Sequence, residues 1–161
     1  NISELFMNAK EIEFLKESNA IEGVYDADSL MQAVYAWEYL KEQREMTIGV
    51  VLKTHKVLML HQKLMPNEKG YFRDTTVYIG GKPALNAVKI RDAMDNWCKK
   101  TTKRRESAKK LHIEYEHIHP FIDGNGRTGR MFMNWSRRMM SQDIITIHEG
   151  EEQMEYYKWF K

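Results

Sequence analysis

The chain is short of most residues that mark a protein class at a glance. It has one cysteine, Cys98, so no internal disulfide can form, which suits a reducing compartment. Three prolines and nine glycines in 161 residues exclude collagen-like and low-complexity chains. No apolar run exceeds a few residues, whereas a membrane-spanning helix needs roughly 20. Neither sign of charge dominates: 25 Lys and Arg against 23 Asp and Glu leave a formal net charge of +2. That balance removes any whole-molecule case for a nucleic-acid or membrane partner. Asn1-Ile2-Ser3-Glu4 does not resemble a signal peptide, so the expected location is cytoplasmic. What is present, 42% hydrophobic and 30% charged residues, is the composition of an ordinary globule. Residues 1–161 carry no repeat or linker and are expected to form a single domain.

The dominant pattern is helical. Leu30, Ala33, Val34, Trp37 and Leu40 recur every three or four residues and predict a helix over 28–45. Ile48, Val51, Leu52, Val57, Leu58 and Leu60 predict another over 47–64. A third is expected over 88–99, with Met94, Trp97 and Cys98 inward. Ser107 can cap a fourth that buries Ala108, Leu111 and Tyr115. A fifth should run from about 126 to 140 through Met131, Phe132 and Trp135, and a short last one over 151–160. The fold class is therefore all-α, with one exception. Thr75-Thr76-Val77-Tyr78-Ile79 are five consecutive β-formers, too short to found a sheet and readable as an edge ribbon on a helical body. The basic run Lys99 to Arg105 falls between two expected helices and reads as a solvated loop. The alternative, a phosphate-binding tail, lacks interleaved aromatics or a recognition-helix pattern.

The chemistry is concentrated in His119-Pro120-Phe121-Ile122-Asp123-Gly124-Asn125-Gly126-Arg127-Thr128-Gly129-Arg130. The helix through Tyr115 and His117 should stop near His119, because the residue before proline is pushed out of the helical region. Gly124 and Gly126 allow positive φ and close approach of a ligand. The next helix begins there, so its unpaired N–H groups form an anion cradle. Arg127 and Arg130 lie in its first turn, where a cation opposes the helix dipole at a cost of roughly 0.3–1 kcal/mol each. A bound polyanion removes that cost. Asp123, just ahead of the cradle, would repel phosphate unless a cation such as Mg²⁺ sat between them. His119 is placed to act as a general base at the same point. Each residue also has an ordinary reading as cap, turn former or solvated helix face. Phosphate binding accounts for all of them together.

This stretch resembles the signature of the Fic family, H-x-F-x-[DE]-G-N-G-R-x-x-R, at every specified position. The resemblance extends to Gly70-Tyr71-Phe72-Arg73 and Val77-Tyr78-Ile79-Gly80-Gly81, which look like the family's flap region over 70–81. Ser18-Asn19-Ala20-Ile21-Glu22-Gly23 fits the family's inhibitory pattern [ST]-x-x-x-E-[GN], which assigns residues 1–26 to an N-terminal inhibitory helix. The implied fold is a helical bundle with one short β-hairpin flap. The implied activity is transfer of AMP from ATP to a Ser, Thr or Tyr hydroxyl of a target protein, releasing pyrophosphate.

Carried over by position, the resemblance makes His119 the base and Asp123 the Mg²⁺ ligand. Gly124, Asn125 and Gly126 would line the anion hole, with Arg127 on the β-phosphate and Arg130 on the γ-phosphate. Thr75, Thr76, Val77, Tyr78 and Ile79 would dock the target, and Phe121 would be a buried anchor. Tyr156 and Tyr157 resemble tyrosines near adenine, and equally aromatics packing a terminal helix. Glu22 would occupy the γ-phosphate position on Arg130, with Ser18 fixing the segment. Doc-type relatives, which phosphorylate, carry lysine where this chain has Gly126. Homodimers occur among relatives, so a homodimer is allowed. Three other readings stay open: a de-adenylylase or transferase using another donor; a non-catalytic phosphate- or nucleic-acid-binding module; and a metal hydrolase through His112, His117 and His119, which lacks the His-Glu-x-x-His spacing.

Overall fold

In a computed structural model, described over residues 7–161, most of the chain is helical. The assignment of residues 1–26 to an inhibitory helix therefore lies outside the described residues for 1–6. Seven α-helices are present among the described residues: α1 (Ala9–Ile21), α2 (Ala27–Lys41), α3 (Ile48–Leu58), α4 (Ile90–Lys103), α5 (Ala108–Ile118), α6 (Asn125–Met139) and α7 (Glu151–Tyr157). Strands β1 (Tyr78–Ile79) and β2 (Lys82–Pro83) pair antiparallel, Tyr78 opposite Pro83 and Ile79 opposite Lys82. No helix among the described residues is long and apolar enough to cross a membrane.

Local sequence sets most helix starts. Asn8, Asp26, Thr47 and Ser107 each accept a hydrogen bond from the backbone N–H three residues on, at 2.9–3.1 Å, satisfying one orphan donor of the first turn. The inward stripes then meet around α6, which packs against α1, α2, α3 and α5. Trp37, Trp97, Trp135, Tyr115, Phe121 and Phe132 are fully enclosed, and each buried large apolar side chain contributes about 1.5–3 kcal/mol. Their polar handles are satisfied: Trp97 Nε1 donates to Leu111 O at 2.8 Å and Trp135 Nε1 to Gln43 O at 3.0 Å. Helix α1 belongs to this core. Phe14 packs edge-on to Trp37 at 5.3 Å. Glu11 accepts from Trp37 Nε1 at 2.6 Å and from Lys41 Nζ at 2.7 Å.

Four expectations need correction. Helix α2 stops at Lys41 and α3 at Leu58, short of 45 and 64; Leu60, expected inward, is exposed. The basic run is not a loop from residue 99, because α4 continues to Lys103 before Arg104 turns left-handed at φ 56°. Buried Trp97 and Thr101 anchor that last turn, Lys99 pairs with Asp95 at 3.0 Å, and cations there favour the helix dipole. Thr75, Thr76 and Val77 are not strand residues. Beyond Tyr78 and Pro83 one more rung follows, Ala84 N donating to Val77 O at 2.9 Å, and the Arg73 guanidinium then takes the Thr75 carbonyl at 2.8 Å, which denies the ladder that acceptor. Gly126 is helical, without positive φ.

Candidate active site

The loop between α5 and α6 begins with the expected break. His119 closes α5 in the left-handed region at φ 51°, its N–H donating to Tyr115 O. Phe121 then plunges into the core and stacks on His55 at 3.7 Å between centroids. Asn125 closes the loop by accepting from Phe121 N at 2.9 Å and donating to Phe121 O at 2.8 Å. Its side chain is thus committed to the loop, and only its backbone is left for an anion. Gly124, at φ 87°, precedes the first turn of α6. A Cβ there would lie 2.8 Å from Met59 sulfur and 3.2 Å from His55 Nε2, so both conformation and packing demand glycine.

His55 and Arg73 hold this loop from behind, and periodicity did not single out either. His55 Nε2 donates to Asp123 O at 2.8 Å, while Nδ1 accepts from Gly70 N at 2.9 Å. Burial holds the imidazole down at about 4, so it stays neutral and bridges loop to flap. Arg73 donates to the carbonyls of His119, Thr75, Leu85 and Ile118 at 2.6–3.2 Å. One guanidinium therefore ties both feet of the hairpin to the end of α5. An arginine consumed entirely by backbone carbonyls carries no spacing signature in the sequence.

These elements enclose a cavity of about 670 Å³. His119, Asp123, Gly124, Asn125, Gly126 and Arg130 line it, and Glu22, Ile79, Tyr156 and Tyr157 complete its wall. Other expected residues stand back. Ser18 lies behind Arg130, Arg127 is buried behind the loop, and Thr75 to Tyr78 do not border the cavity. Arg127 Nη2 is 3.8 Å from Asp123 Oδ2, and its Nε is buried without a partner. The two arginines of the first turn thus face different surroundings.

Arg130 is buried and fully engaged. Nε donates to Ser18 Oγ at 2.8 Å, and Nη2 donates to Ser18 O at 3.0 Å and to Glu22 Oε1 at 2.8 Å. Tyr156 Oη accepts from Nη1 at 3.4 Å. Gly126 makes this contact sterically open: a Cβ there would sit 2.5 Å from Glu22 Oε1 and 2.9 Å from Arg130 Nη1. Tyr156 is buried, its hydroxyl 2.6 Å from His112 Nε2, whereas Tyr157 is exposed at the rim.

The tautomer of His119 is set by the α5 backbone. Its Nδ1 lies 3.2 Å from Glu116 O; a carbonyl only accepts, so Nδ1 carries the proton and Nε2 is bare. Burial holds the imidazole below its ordinary value, against the pull of that carbonyl. Asp123 Oδ1 accepts from Gly124 N at 2.8 Å, and its side chain is 60% exposed. No group of three or more His, Cys, Asp or Glu capable of caging a metal occurs among the described residues. A single open carboxylate beside a cradle of N–H groups still fits Mg²⁺, which draws most ligands from water and phosphate.

His119, the start of α6 and the buried Arg130 thus meet around one cavity. The Fic/DOC family pattern matches residues 51–136, more than half of the chain. The chain belongs to the Fic/DOC family. It is 31% identical over 130 residues to the protein adenylyltransferase Fic of Drosophila grimshawi, a match covering 76% of this chain and 26% of that one. It thus spans about a quarter of the length of the curated relatives it matches. Among solved structures, a Fic-domain-containing signaling protein from Bacteroides thetaiotaomicron superposes with TM-score 0.75 at 18% identity, over 91% of this chain and 69% of that one. Fic-1 from C. elegans superposes with TM-score 0.73 at 21% identity, over 94% and 55% of the respective chains. At such identities the likeness is one of fold, and the fold is the Fic helical bundle with its hairpin.

Proposed function

We propose that this chain is an auto-inhibited protein adenylyltransferase, transferring AMP from ATP to a Ser, Thr or Tyr hydroxyl of a target protein. The observation that carries the proposal is the placement of a bare His119 Nε2 and a buried Arg130, held by Glu22, on the wall of one cavity. The curated Drosophila relatives, which are named protein adenylyltransferases, support the same reading. His119 takes the proton of the incoming hydroxyl, whose oxygen attacks the α-phosphorus. The N–H groups at the start of α6 receive the phosphates, and Arg130 meets the γ-phosphate once Glu22 gives way. Positioning and charge neutralisation of this kind supply most of the catalysis in such transfers. Asp123 would hold Mg²⁺, which would neutralise phosphate charge. Arg127, behind the loop and 3.8 Å from Asp123, braces the loop that receives the β-phosphate, and Tyr156 and Tyr157 form the wall for adenine. The hairpin around Tyr78 and Ile79 offers its edge to the target's backbone, which demands little target sequence. Cys98, a buried free thiol, suits a cytoplasmic setting.

The test is mass spectrometry after incubation with ATP, Mg²⁺ and cell lysate. The Glu22→Gly protein is expected to add one AMP unit to itself or to a lysate protein, and His119→Ala in that background to add none. Absence of AMP transfer by Glu22→Gly, with ATP bound, would overturn the assignment.

A further inference from the structure

The reaction as described leaves one enclosed acid without a task. Glu116 lies one turn before His119 on α5 and also lines the cavity. Its side chain is 14% exposed, and Oε1 is buried without a hydrogen-bond partner. An orphaned carboxylate oxygen is costly and calls for a reason. The neighbouring helix is shaped to admit it. A Cβ on Gly129 would stand 2.5 Å from Glu116 Oε1 and 2.9 Å from His112 Cε1. Gly129 has no positive φ, and inside a helix alanine is the better former, so space rather than conformation explains the glycine. With Oε1 seated in that notch, Oε2 lies 3.9 Å from His119 Nδ1, the nitrogen that carries the imidazole proton.

We infer that Glu116 is the positioning residue for His119: its carboxylate orients the Nδ1–H side of the ring and balances the charge that appears when Nε2 accepts a proton. The inference rests on the proposed function. In that reaction the target's O–H proton goes to Nε2 and its oxygen bonds to the α-phosphorus. The bond from that phosphorus to the bridging oxygen breaks, and pyrophosphate leaves with the electron pair. The proton stays on His119 until it passes to solvent, and Glu116 does not take it. An acid set against the far nitrogen of a basic histidine is a recurrent way to hold the tautomer and stabilise the imidazolium. The groups facing Glu116 are His119 and His112 on α5, Arg130 on α6, Glu22 after α1, and Tyr156 on α7. Burial pushes the Glu116 carboxyl up to about 7, Arg130 pulling it down and Glu22 up, so loss of the Glu22 charge favours its ionised form.

The test compares Glu116→Gln with its parent in the Glu22→Gly background. Single-turnover AMP transfer is followed across pH, and the His119 imidazole is titrated by NMR in the same proteins. The substitution is expected to slow transfer about tenfold, less than the roughly 10²–10⁴-fold of a general base itself because Glu116 acts through His119, with half-saturating ATP changed less than twofold. The midpoint of the rise in rate with pH, and the His119 titration, should both move down by about half a unit or more. Gly129→Ala, which expels the carboxylate while improving helix propensity, should move both the same way. Unchanged rate and titration in both variants would overturn the inference. No transfer by the Glu22→Gly parent would instead overturn the proposed function, whatever residue 116 is.

Discussion

Removing the Glu22 carboxylate tests the proposal that Glu22 blocks a phosphate site on Arg130. The contact is a charge-assisted hydrogen bond of 2.8 Å to a buried guanidinium, a class worth about 1.5–3 kcal/mol. The Glu22 side chain is 39% exposed, so solvent screening reduces this to about 1–2 kcal/mol. Arg130 keeps Ser18 and Tyr156 as partners, and that residual solvation also argues for the lower range. Every 1.4 kcal/mol is about tenfold in affinity, so Glu22→Gly should bind ATP with Mg²⁺ roughly 5- to 30-fold more tightly, measured by titration calorimetry. The ligand-free variant leaves Arg130 less well compensated and should melt lower by about 2–8 °C, at roughly 2–4 °C per kcal/mol for a chain of this size. Saturating ATP should then raise the variant's Tm more than the wild type's. Equal ATP affinity in both proteins would refute the idea that Glu22 holds the phosphate site.

Three further outcomes follow from named contacts. His119→Ala should bind ATP within a few-fold of its parent by calorimetry while transferring no AMP, since in the proposed reaction the imidazole acts on the hydroxyl and not on the triphosphate. Arg73→Ala strips one donor from four carbonyls and should lower stability by about 2–4 kcal/mol in urea titrations; retention of wild-type stability would refute its role as the tie between hairpin and loop. His148 bridges Glu13 on α1 and Glu152 on α7 at 2.7 Å each, near Glu17, Glu149 and Tyr25. Hydrogen bonds donated to Glu13 and then to Glu152 raise its imidazole to about 9. A raised folded-state value means the stabilisation is complete below the ordinary value near 6.5 and lost as pH rises through about 9. Urea midpoints of wild type and His148→Ala should therefore differ below pH 6.5 and converge above pH 9.

Much of the fold was legible because helix stripes and capping residues are local signals. The inward faces of α2, α4, α5 and α6 are those that the three- and four-residue spacing picked out, and Ser107 caps α5 as its type suggests. The misses occurred where tertiary partners outweighed local preference. Thr75 to Val77 favour strand, but Arg73 takes the Thr75 carbonyl that a longer ladder would need. Lys99 to Lys103 look like a solvated loop, but Trp97 and Thr101 bury the final turn of α4. At the site, the motif singled out His119, the glycine bend and Arg130, and the flap resemblance took in Arg73, while His55 and Glu116 were not singled out because each meets its partners across space rather than along the chain.

By itself the sequence determined the chemistry on offer: a histidine before proline, a glycine bend opening a helix, a carboxylate beside it, and an Ser18–Glu22 pair one helical turn apart. These depend on covalent order and helical period, which adjacent residues settle. Only the tertiary structure decided how the parts are used. It brought Glu22 to Arg130 across 108 positions of chain, turned Arg127 away from the cavity, and spent the Asn125 amide on closing the loop. Those outcomes depend on which buried charges and polar atoms find partners when the helices pack, and that is settled by the assembled core rather than by any segment of it.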